Sequence, residues 1–263
     1  MALVRPEAPS TGYLRVAGPE HPDLNVIEFG LLTLPDGRSW EQAFDSVEAL
    51  LVVLGGRCDV EADGRTWERI GERTDVFDGK ATAVYLPPGS RCRVTGRGYV
   101  RVAVCAARAV SGGEAALISP DAVGVRNVGR ETFQRAVYDI LVPGSSEAER
   151  LIVGETINVP GLWSGYPPHK HDEHDPPEES KLEEVYYFRL NPAQGFGLQR
   201  IYGDGFDTVH AVQDGDVATI SQGYHSVAAA PGYDLYYLWM LAGEHRVVHM
   251  REDIQHRWVQ AQT

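Results

Sequence analysis

Along the chain, short runs of β-branched and aromatic residues alternate with stretches rich in glycine and proline. The runs ALLVVL (49–54), TAVYL (82–86), YVRVAV (99–104), RLIVGETINV (150–159), EVYYFRL (184–190), FGLQRIY (196–202), DVATI (216–220) and DLYYLWML (234–241) have the length of strands and are bounded by turn formers. Helical periodicity is weak. SWEQAFDSVEALL (39–51) fits an amphipathic helix and EAALI (114–118) a single helical turn. The spacing predicts an all-β chain built as a sandwich or barrel.

The pattern also repeats. Glu48 precedes an apolar run that ends at Gly55 and Gly56; Glu184 precedes VYYFRL and a turn at 191–195. YLPPGSR ends at Arg91 and TISQGYH ends at His225, so the two marker pairs lie 136 and 134 residues apart. Two copies of one β unit are expected. The divide falls within 107–131, where SGGEAA interrupts the strand pattern, giving domains 1–110 and 111–263.

Composition narrows the partners. Hydrophobic residues make up 43% of the 263 positions and charged residues 23%, which excludes a disordered chain and a disulfide scaffold. With 24 Lys and Arg against 37 Asp and Glu, the formal charge is −13. Such a surface repels phosphate backbones and anionic lipid, so neither nucleic acid nor a membrane is the expected partner. Cys58, Cys92 and Cys105 cannot all pair, and their spacing does not suggest zinc, so a reducing compartment is expected. The opening MALVRPEAPSTGY has no apolar stretch of signal-peptide length, and the apolar runs are far shorter than the ~20 residues of a membrane span. A soluble, cytoplasmic protein is expected.

The segment Tyr166-Pro-Pro-His-Lys-His-Asp172 carries the most chemical information. His169 and His171 are two apart, so on a strand both imidazoles project from one face. A carboxylate follows at Glu183 or Glu184, and His225 stands after a Gly-Tyr turn. A lone H-x-H is commonly solvated surface. Joined to a strand-leading carboxylate and a third histidine, it describes a divalent ion with open coordination positions.

The sequence H-x-H, then E, then G-x(1–2)-H resembles the metal-binding signature of cupins, and the duplicated layout implies two cupin-type β-barrels. More closely, YPPHKHD, LEEVYYFRLNPAQGFGLQRIY and GYHSVAAAPGYDLYYLWMLAG resemble the 5-deoxy-glucuronate isomerase family of myo-inositol catabolism, relatives of 4-deoxy-L-threo-5-hexosulose-uronate ketol-isomerase. RTDVFDG (73–79) with YLPPG (85–89), and WSGYPPHKHD (163–172), extend the likeness into both halves. The resemblance implies an aldose–ketose isomerase that converts 5-deoxy-D-glucuronate to 5-dehydro-2-deoxy-D-gluconate. It implies one divalent metal (zinc or manganese first, iron or nickel also suited), with a sugar acid as partner. Homo-oligomers are common among bicupins. A metal-dependent dioxygenase is the alternative enzyme class, and a non-catalytic sugar-binding bicupin the remaining reading.

Departures from the cupin pattern carry their own expectations. Residues 172–182 intervene between H-x-H and the carboxylate, as an inserted loop that could serve as a lid, and Ser221 stands where cupins favour proline. The first copy has no H-x-H before Glu48 and has Arg91 in place of the histidine; a guanidinium is always protonated, so this copy should be metal-free and structural. Alternation from Glu184 puts Tyr186 and Phe188 on the pocket face, with Val185, Tyr187 and Arg189 on the other. A small barrel interior excludes an unpaired Arg, so Glu184 is the expected ligand with His169, His171 and His225, and Glu183 lies outside. The alignment of Glu48 with Glu184, and the family's Glu before a Val-Tyr pair, favour the same choice. Tyr186 is the expected proton-handling residue. Arg200, in QRIY, is the expected partner of the substrate carboxylate; alternation directs Lys170 and Arg189 away from the ligand face.

Overall fold

A computed structural model describes residues 2–7, 11–144 and 148–261. Its strands form four antiparallel sheets of seven, six, five and four strands, and helix is limited among the described residues to Trp258–Ala261 and two short 3-10 turns. The six- and four-stranded sheets close over one apolar interior, which includes Leu32, Leu51, Val53, Val60, Val94 and Val102. The seven- and five-stranded sheets close over another, with Tyr186, Phe188, Leu190, Ile201, Val227 and Tyr237. Each half is a barrel.

A third core lies between the barrels. The outer faces of the six- and seven-stranded sheets pack together, placing Phe29, Leu50, Val52 and Cys105 against Val185, Tyr187, Tyr236 and Leu238. Phe29 and Tyr187 meet with ring centroids 5.8 Å apart. Strands Val47–Gly55 and Asp234–Ala242 are thus buried on both faces, which is why they read as continuous apolar runs. One ion pair is sealed nearby: Arg73 donates to both oxygens of Glu155 (3.0 and 2.5 Å), which also accepts from the Tyr236 hydroxyl at 2.7 Å.

Three expectations are corrected by non-local pairing. Residues 39–51 are not a helix but strands Ser39–Phe44 and Val47–Gly55; their partners, Ser90–Gly96, Thr82–Leu86 and Val100–Arg108, lie far away in sequence and override the local helical pattern. Likewise Ala116–Ile118 is a strand paired with Thr82–Leu86 rather than a helical turn. The line drawn at 110/111 cuts across this pairing, because Ala116–Ile118 completes a sheet of the first barrel. Strand Ala2–Val4 crosses the other way to pair with Val217–Ile220 of the second.

Glu48 is corrected too. Ala49, Leu51 and Val53 face the interior of the first barrel, whereas Glu48 shares its face with Leu50 and Val52, toward the second. It therefore corresponds in facing to Glu183, and the residue in Glu184's place is Ala49. Arg91 is exposed at the ladder with Ser39–Phe44.

Candidate metal centre

Strand Trp163–Lys170 carries His169, and His171 follows just past its end. The Leu182 N–H donates to the His171 carbonyl (2.8 Å), while His171 Nδ1 lies 3.0 Å from the Leu182 carbonyl. This two-way link delivers Glu184, the second residue of strand Glu183–Asn191, beside His171. His225 enters from strand Tyr224–Ala229, whose preceding turn is tied to the other side by a Gly223 N–H that donates to Asp172 Oδ2 at 2.6 Å.

The three side chains converge in the second barrel. His171 Nε2 lies 3.1 Å and His225 Nε2 3.2 Å from Glu184 Oε2, with side-chain exposures of 2%, 1% and 3% for His171, His225 and Glu184. One ligand atom from each falls within 4.8 Å of the others. A carbonyl can only accept, so the contacts of His171 Nδ1 to Leu182 (3.0 Å) and of His225 Nδ1 to Gly223 (3.2 Å) place a proton on Nδ1 in each ring. Each Nε2 then faces Glu184 Oε2. Two imidazole nitrogens and a carboxylate oxygen converging in a buried space form a donor set that could hold a divalent metal ion.

Electrostatics follows the geometry. Burial would raise the Glu184 carboxyl, but hydrogen bonding and charge from His171 and His225 outweigh it and hold the pKa down at about 2. His171 is also opposed by burial, and Glu184 raises it. His169 is pushed well below the ordinary imidazole value by burial first, then by His225 and His171. Its ring centroid stands 4.6 Å from that of His225 and 6.3 Å from that of His171, beside the cluster rather than within its three atoms.

Glu184 and the neighbouring His169 open on a cavity of about 720 Å³ that is also lined by Tyr186, Thr156, Tyr237 and Trp239. Tyr186 lies with its ring 6.2 Å from His225 and 4.6 Å from Tyr237; burial and then Glu184 push its phenol well above the ordinary value, so it keeps its proton at neutral pH. Alternation along DLYYLWML could have marked Tyr237 and Trp239. Arg135, which also lines this cavity, lay in a strand that no motif marked.

Other candidates sit elsewhere. Glu183 faces the first barrel. Arg200 does not reach the cavity: Gln199 and Ile201 pair with Val227 and His225 and share their inward face, so Arg200 points outward. There it binds Asp207 in a fork (2.9 and 2.7 Å) and lies over the Tyr202 ring. Arg189 pairs with Asp214 at 2.7 Å, and Lys170 with Asp172 and Glu179 at 2.5 and 3.0 Å. Buried Glu179 also accepts from the Asp172 and Glu173 N–H groups (2.8 and 2.9 Å), pinning the inserted loop. Loop residues 174, 176 and 179–182 line a separate cleft of about 760 Å³ and do not line the metal cavity.

Residues 3–259 match the model of the KduI/IolB family. The 5-deoxy-glucuronate isomerase of Geobacillus thermodenitrificans is 39% identical over 244 residues, which cover 92% of this chain and 89% of the relative. The crystal structure of an IolB-like protein from Salmonella typhimurium LT2 superposes with a TM-score of 0.94 at 36% identity, covering 98% of both chains. Lactobacillus farciminis oxalate decarboxylase superposes with a TM-score of 0.69 at 12% identity, over 99% of this chain and 90% of its own, which shows a shared bicupin fold alone.

Proposed function

We propose that this chain, which belongs to the KduI/IolB family, isomerises 5-deoxy-glucuronate by moving hydrogen between C1 and C2, so that the aldehyde becomes a ketone. The observation that carries this reading is the buried convergence of His171, Glu184 and His225, with Glu184 and the neighbouring His169 on the wall of a cavity large enough for a six-carbon sugar acid. Those three side chains, with His169 beside them, would hold one divalent ion, zinc or manganese. Such an ion supplies the electrophile that stabilises negative charge on the C1 and C2 oxygens.

The protein's own groups do the rest. Tyr186 keeps its phenolic proton, so it serves as a donor to a substrate oxygen. His169 is held neutral and can accept a proton at the cavity wall. Tyr237 and Trp239 present apolar ring surface while their polar atoms are engaged by Ser164 (3.0 Å) and Thr156 (3.1 Å), which limits water around the reacting carbons. Buried, free Cys58, Cys92 and Cys105 suit a cytoplasmic location, and no helix among the described residues is long and apolar enough to cross a membrane.

The test is incubation with 5-deoxy-D-glucuronate followed by NMR for the ketone. Conversion that stops on chelation and returns with added metal is expected. Absence of conversion by metal-loaded protein would overturn the proposal.

A further inference from the structure

Two arginines, Arg126 and Arg135, line the metal cavity and Arg130 lines the adjoining cleft, and they differ in how they are neutralised. Arg126 is bound by both oxygens of Asp139 (2.6 and 2.8 Å). Arg130 donates to the Val259 and Gln260 carbonyls (2.6 and 2.9 Å) at the carboxy-terminal helix. Arg135 donates from Nη1 to the Phe133 carbonyl at 3.1 Å, and among the described residues it has no carboxylate within ion-pair distance.

The place of Arg135 is built. It begins strand Arg135–Leu141 and shares the cavity-facing side with Val137. Gly129 leaves room for it: a Cβ there would stand 2.0 Å from the Phe133 oxygen and 2.9 Å from Arg135 Nη1. The guanidinium is therefore braced by backbone on one side. Arg135 and His169 both line the metal cavity and a second cleft of about 440 Å³, so the two residues stand where these spaces meet. In that second cleft, Glu252 already accepts from Gln260 Nε2 at 2.6 Å. Burial of the unpaired cation works against its charge, and an incoming anion would offset that cost.

We propose that Arg135 binds the carboxylate of the sugar-acid substrate, so that the aldehyde end is directed to the His171–Glu184–His225 cluster. This rests on the isomerase reading above. A six-carbon substrate with an aldehyde at one end and a carboxylate at the other needs an electrophile and a cation in one cavity. Of the two arginines that line this cavity, Arg126 is held by Asp139, and Arg135 has no carboxylate partner among the described residues.

The experiment compares 5-deoxy-D-glucuronate with its C6 alcohol analogue, in the wild-type protein, Arg135→Met and Arg135→Lys, with metal content and Tm recorded for each. Loss of a charge-assisted pair should raise KM for the acid roughly 10- to 100-fold in Arg135→Met. The alcohol should react alike in both proteins, and Arg135→Lys should recover part of the loss for the acid alone. The wild-type protein should prefer acid to alcohol by a similar factor. Unchanged KM for the acid, or equal losses for acid and alcohol, would overturn the role of Arg135. Should Arg135→Met fail to fold, the same comparison in Arg135→Lys and the wild-type preference decide the matter. A wild-type protein inert toward both substrates sinks the isomerase reading itself, a different result.

Discussion

Glu48 and Glu183 hold reciprocal places in the two halves. Each stands near the head of a strand, faces the opposite barrel and gathers the backbone N–H groups at the start of a strand there. Glu48 accepts from Glu149, Arg150 and Leu151 (2.8, 2.7 and 2.6 Å), and Glu183 from Asn25, Val26 and Ile27 (2.7, 2.9 and 3.2 Å). Each carboxylate thus satisfies donors that strand pairing leaves free, and each strand start is held by the other half of the molecule.

Replacing either carboxylate should therefore cost stability rather than metal. Glu48→Ala leaves three backbone donors and the Tyr85 hydroxyl without their acceptor, and about 3 kcal/mol of destabilisation is expected. Glu183→Gln should show a smaller loss in urea unfolding and an unchanged metal content. Loss of the ion in Glu183→Gln would contradict the placement of that side chain.

The cluster itself should behave in the opposite way. Glu184→Gln removes the converging negative charge, and His171→Ala and His225→Ala each remove a ligand atom, so bound metal should fall and turnover should drop at least about 100-fold, with the fold retained. Metal analysis and circular dichroism on the purified variants check this. His169→Ala should weaken metal retention and turnover as well.

The buried pair between the barrels gives a sharper stability test. Arg73→Ala leaves Glu155 charged and enclosed, at an expected cost of about 3–5 kcal/mol. Arg73→Met combined with Glu155→Leu should recover much of it, since a dry apolar pair replaces the ions. Denaturant unfolding of the single and double variants would separate these outcomes, and additive losses would refute the coupling.

Acid stability has an identifiable contributor in Glu149. Burial would raise its carboxyl, but bonds from Ser111 and Val110 and from Arg150 hold it at about 2, below the ordinary 4.5. A folded-state pKa lowered in this way adds stability above pH 4.5 that is lost as pH falls toward 2. Glu149→Gln should lower stability at neutral pH and flatten the decline between those values. A wild-type and variant pair with parallel pH profiles would rule this out.

Arg200→Ala should leave KM for the sugar acid within about twofold, as for surface substitutions in general. The side chain is committed to Asp207 outside the barrel. A large rise in KM would restore it to the site and argue against Arg135.

The all-β class, the strand runs, and Glu184 rather than Glu183 as the inward carboxylate were legible without the fold. Alternation of side chains is a local consequence of covalent geometry, and Arg189 in EVYYFRL marks which face cannot be the barrel interior. ALLVVL has no such marker. With both its faces apolar, nothing in that run says that Glu48 looks toward the other barrel instead of inward. The same gap hid Arg135 and misplaced Arg200: each lies on a strand whose inward face is set by register against partners distant in sequence, Asn158 for one and Ser226 for the other. Local periodicity determined what each strand is. Which of its two faces meets the substrate, and which meets the other barrel, was decided by tertiary pairing, because that choice depends on the sheet packed against it.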